Sequence, residues 1–102
     1  MKKSLKTRPF DPAKYLDNDG AIAEYLTDAL ETGDPAFVSD ALGVVARAHG
    51  MSEIARIAGM SRESLYRALS ADGNPKFETV LRVMHAMGLR FSASPARRKK
   101  VA

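Results

Sequence analysis

Residues 51–70 read Met51-Ser52-Glu53-Ile54-Ala55-Arg56-Ile57-Ala58-Gly59-Met60-Ser61-Arg62-Glu63-Ser64-Leu65-Tyr66-Arg67-Ala68-Leu69-Ser70. This is the pattern of a helix-turn-helix. Two short helices that cross steeply need a small residue where they touch, and Ala55 supplies it. The tight turn between them needs a residue tolerant of positive φ, and Gly59 stands there. The inner faces need apolar groups, which Ile54, Ala58, Met60, Leu65 and Ala68 provide. The second helix needs a cap whose oxygen or N–H can also meet a phosphate, and Ser61 fits.

With the inner face so occupied, the outward face of the second helix falls to Arg62, Glu63, Tyr66 and Arg67. A helix laid in the major groove presents its N-terminal outward residues to base edges. Arginine bonds guanine O6 and N7 together, and glutamate accepts from cytosine N4. Arg62, Glu63 and Arg67 are therefore the expected base readers of a double-stranded operator. Ser52, Ser61, Ser64 and Lys76 are the expected phosphate contacts. Tyr66 either touches DNA or packs on the turn at Met60. The alternative for the whole face is a solvated charged surface on an ordinary three-helix core.

Outward from this motif the chain reads as helix on both sides. Ile22, Tyr25, Leu26, Ala29 and Leu30 recur at helical spacing over about 20–32, with Asn18 or Asp19 as cap and Gly33 as stop. Asp34-Pro35 restarts the chain as a second helix to about His49, burying Val38, Ala41, Leu42, Val45 and Ala46. The motif helices are expected at about 52–58, capped by Ser52, and 61–69, capped by Ser61. Asp72-Gly73-Asn74-Pro75 is a turn. A fifth helix at about 77–87 carries Phe77, Val80, Leu81, Met84 and Met87 on one face. Leu89-Arg90-Phe91-Ser92-Ala93 alternates as a short strand would, a candidate C-terminal strand. The expected fold is all-α: a five-helix bundle over 19–93, with an N-terminal arm (1–18) and a disordered basic tail (94–102).

The chain has 102 residues, enough for one compact domain and a tail. Apolar residues make up 45% and charged residues 27%, values ordinary for a soluble globular chain. No apolar run approaches the roughly 18 residues of a membrane span. Arg8-Pro9-Phe10-Asp11 stands where a signal peptide needs an apolar stretch. There is no cysteine, so no disulfide framework or thiolate metal site forms, and a cytoplasmic location is expected. Little room exists for a deep catalytic pocket. His49 and His85 lack carboxylates at ligand spacing, and no histidine stands near Ser61, Ser64 or Ser70 to activate them. No enzyme activity, cofactor or metal is expected.

Charge divides the chain. Residues 11–40 are net −7, between an N-terminal block of +4 and residues 41–102 at +7. Such asymmetry points to two partners of opposite charge, or to solvated helix faces.

Residues 51–91 resemble the Xre-type helix-turn-helix domain shared with lambda-like phage repressors; Asn74-Pro75 and Phe77-Glu78-Thr79-Val80-Leu81 match its following helix. Over about 8–93 the chain is similar to the addiction-module antidote proteins, themselves like HigA-type antitoxins. The matching stretches include Phe10-Asp11-Pro12-Ala13-Lys14-Tyr15-Leu16, Gly33-Asp34-Pro35-Ala36 and Ser61–Ser70. The resemblance implies an antitoxin that binds a small, basic RelE/ParE-like toxin and represses its own operon. Two positions depart from the repressor pattern. Met51 replaces the usual glutamine and cannot buttress DNA contacts by hydrogen bonding. Lys76 replaces the serine or threonine cap, and suits a phosphate or the minor groove instead.

On this reading the acidic block approaches the toxin and Phe10, Tyr15, Leu16 and Tyr25 anchor it. A homodimer is expected on DNA, because one recognition helix reads too few bases. Leu89 and Phe91 are its candidate contacts, unless Phe91 folds back on its own core. The competing function is a plain transcriptional regulator with no toxin partner.

Overall fold

The computed structural model describes residues 18–96. They form five α-helices: α1 (Asp19–Glu31), α2 (Pro35–His49), α3 (Met51–Ala58), α4 (Arg62–Ala68) and α5 (Phe77–Ala86). The expected all-α bundle is what the chain adopts. The arm anchors Phe10, Tyr15 and Leu16, and the basic run 97–100, lie outside the described residues.

The local signals at the first two helices act as read. The Asn18 side chain accepts a hydrogen bond from the Ala21 N–H at 2.7 Å and so caps α1. The Asp34 carboxylate accepts from the Ala36 N–H at 3.1 Å, with Pro35 opening α2. Helix α1 packs on α2; α3 packs on α2, α4 and α5. The largest wholly enclosed side chains come one from each of α2 to α5: Val45, Ile54, Leu65 and Val83. Burying a side chain of this size stabilises by about 1.5–3 kcal/mol. Ile22, Leu26 and Ala29 add the contribution of α1 to the same core.

Three expectations are corrected. Helix α3 begins at Met51, and its cap is Gly50 rather than Ser52. The Gly50 N–H closes α2 on the Ala46 carbonyl at 2.8 Å, and its carbonyl opens α3 by accepting from Ile54 at 3.1 Å. No residue is left between the helices for a serine cap, and Met51 is drawn into the core. On α5 the buried stripe is Val83, Met84 and Met87, with Val80 half-buried. Phe77 and Leu81 flank it and are 68% and 42% exposed. The apolar residues of α5 spread too widely around the helix for all to face α3.

The third correction is the C-terminal strand. Residues 89–93 form no strand, no other strand exists among the described residues to pair with them, and the Leu89 N–H instead donates to the Met84 carbonyl at 2.9 Å. The alternation instead reflects packing. Leu89 and Phe91 lie against the core, and Phe91 stacks on Phe77 with ring centroids 6.1 Å apart.

Candidate nucleic-acid interface

The α3–α4 unit is built as its sequence demands. Gly59 ends α3 at φ 73°, a left-handed conformation that costs glycine nothing. The next residue, Met60, returns its N–H to the Ala55 carbonyl at 2.9 Å. Ala55 and Ala58 are buried, so α4 can lie close across α3. The Ser61 Oγ then accepts from the Ser64 N–H at 3.0 Å and starts α4. Leu65 is fully enclosed beneath.

That packing turns Arg62, Glu63, Tyr66 and Arg67 outward, and all four are exposed. Arg62 and Tyr66 are one turn apart, and the Arg62 guanidinium carbon lies 5.7 Å from the Tyr66 ring centroid. This is a cation–π contact, and it holds two of the four outward groups together. The ring also lines a shallow cleft against α2, beside Asp40 and Arg47. Of the two alternatives for Tyr66, DNA contact or packing on the turn, its 44% exposure leaves the first available. Arg67 and Lys76 carry no ion pair among the described residues, so both cations face solvent unneutralised. Lys76 precedes α5 without a side-chain cap. Ser52 is exposed on the first turn of α3, whereas Ser64 is half-buried behind Ser61.

Two residues that support this surface carried no motif signal. Arg82 of α5 donates to the Ala58 carbonyl at 3.3 Å and to Glu78 at 2.6 Å. It thereby ties the end of α3 to α5. Gly43 is the point where α2 passes over the end of α4, and a Cβ there would overlap the Leu69 carbonyl.

The N-terminal part of the described chain is acidic. Residues 18–40 hold Asp19, Glu24, Asp28, Glu31, Asp34 and Asp40 and no base. Tyr25 lies half-buried there, packed against the core. Its hydroxyl pKa is raised, first by burial and then by the Asp40 carboxylate, with Arg47 opposing.

A family model described as probable addiction module antidote protein matches residues 6–95. The chain belongs to this family. A Haemophilus influenzae relative of the antidote, described only as an uncharacterized protein, is 46% identical over 97 residues, covering 95% of this chain and 98% of its own. No solved structure matches the chain. Membership implies that the antidote has a toxin as partner. Among the antidote's described residues no helix is long and apolar enough to cross a membrane, and no histidine–carboxylate group has the makings of a metal site.

Proposed function

We propose that this antidote is a two-sided antitoxin: α3 and α4 form a helix-turn-helix that binds its own operator, and the acidic end binds the toxin. The observation that carries the DNA reading is the outward array of α4 beside two unpaired cations, Arg67 and Lys76. Arg62, Glu63 and Arg67 read bases, Tyr66 holds Arg62, and Ser52, Ser61, Ser64 and Lys76 meet phosphates.

The toxin is a small basic protein of the RelE/ParE kind, as the resemblance implies. It is reached by Tyr25 together with the arm residues Phe10, Tyr15 and Leu16. The protein acts on DNA as a two-fold dimer with half-sites about 34 Å apart. Its paired surface is Leu89 and Phe91 together with Phe77, which is 68% exposed and stacks on the Phe91 ring.

The test is co-expression with any small basic protein that a neighbouring gene encodes, together with a reporter driven by the DNA upstream of this gene. The full chain restores growth and silences the reporter. Arg62→Ala with Arg67→Ala restores growth but no longer silences the reporter. Loss of growth rescue in that variant would contradict the division of functions between the two ends.

A further inference from the structure

Phe37 is half exposed, at 50%, on the first turn of α2. Apolar positions of α2 one turn further on are buried. Phe77 is more exposed still, but Phe37 is the one large apolar side chain of α2 left open to solvent.

Its neighbours give the surface a chemical character. Asp40 is one turn beyond Phe37 on the same side of α2, so their Cβ atoms are about 5–6 Å apart. The Asp40 charge in turn acts on the Tyr25 hydroxyl of α1. Asp40 is thus one turn from Phe37 and within electrostatic reach of Tyr25, and it also lines the cleft that holds Tyr66 and Arg47. Asp28 follows Tyr25 by one turn of α1 and adds a second carboxylate near that residue. Arg47 also acts on the Tyr25 hydroxyl, and it lines the same cleft as Asp40.

We infer that Phe37 and Tyr25, with Asp28 and Asp40 around them, form the docking surface for the toxin, and that the toxin meets it with a basic face. This rests on the antitoxin reading above and adds to it the residues of contact. The charge pattern selects the occupant. A second copy would bring carboxylates against carboxylates across an isologous contact. Nucleic acid is repelled for the same reason. A protein with lysine or arginine around an apolar pocket satisfies both features. The aromatic rings supply residence time, and the carboxylates supply steering and register.

The experiment uses the full chain and any small basic protein that a neighbouring gene encodes, purified together and identified by mass. Phe37→Ser is the variant, measured by titration calorimetry. It is expected to weaken toxin binding about tenfold or more, with operator binding and the melting temperature unchanged. Asp28→Asn with Asp40→Asn is expected to slow association several-fold and to flatten its salt dependence. A photo-crosslinking residue at position 37 is expected to capture the toxin, which reports contact even if Phe37→Ser folds poorly. Unchanged affinity in Phe37→Ser with no crosslink at 37 overturns the surface, whether the ring is then covered by the chain's own arm or by a second copy. If the wild-type chain binds no such protein, the antitoxin reading itself fails, and the surface falls with it.

Discussion

Gly43 of α2 lies directly against the Leu69 carbonyl at the end of α4, so close that no side chain fits between them. Helix α4 is thus braced from behind by bare backbone. Helix α4 is only seven residues long and has little stability of its own. Its aim depends on the elements it touches.

Gly43→Ala is therefore expected to destabilise the fold by about 1–3 kcal/mol, the usual cost of forcing a group into a filled space. This runs against helix propensity, which favours alanine by about 1 kcal/mol at an open site. Denaturant titration measures it. A stabilised variant would mean that α2 and α4 separate freely.

Arg67→Ala and Lys76→Ala should fail in different ways. Losing Arg67 is expected to cost about 1–3 kcal/mol at one base pair and to relax preference there. Losing Lys76 is expected to weaken all sequences alike and to reduce the salt slope by about 1. Binding isotherms on operator and scrambled DNA at several salt concentrations separate them. Matching profiles for the two variants would remove the distinction between reader and phosphate contact.

Much of this architecture was legible in the chain. Asn18, Gly33 and Asp34-Pro35 bracket α1 and α2 because caps and prolines act through neighbouring backbone alone. Ala55, Gly59 and Leu65 were legible for the same kind of reason, since their spacing fixes one turn between two helices. What escaped depends on distant neighbours. Gly43 reads as a weak point in a helix until Leu69 is seen beside it. The alternation at 89–93 resembles a strand until Phe91 is found stacked on Phe77. Gly50 displaced Ser52 as a cap by ending one helix and starting the next. Phe37 lies off the buried stripe of α2, and only its exposure draws notice.

Tyr25 gives a pH signature. Burial and Asp40 raise its hydroxyl pKa above the ordinary 10.0 in the folded state. The folded protein then holds that proton more tightly than the unfolded chain does. Its contribution to stability is complete below about pH 10 and is lost as pH rises through the folded value. Tyr25→Phe should lose less stability than wild type between about pH 9 and 11, as read from denaturant midpoints. Parallel curves would show that the ring hydroxyl is solvated in the folded state.

Helix α1 supplies Ile22, Leu26 and Ala29 to the core, so removing the N-terminal third to test toxin binding is expected to unfold the helices proposed to bind DNA as well. Point variants at exposed residues keep the two ends separable. The most direct measurement of the central claim is an electrophoretic shift of the gene's own upstream DNA by the full chain, with wild type beside Arg62→Ala/Arg67→Ala. The account predicts a specific wild-type complex that resists scrambled competitor, and its loss in a double variant that remains folded by circular dichroism. A double variant that binds the same DNA as tightly as wild type would contradict the assignment of α4 as the recognition helix.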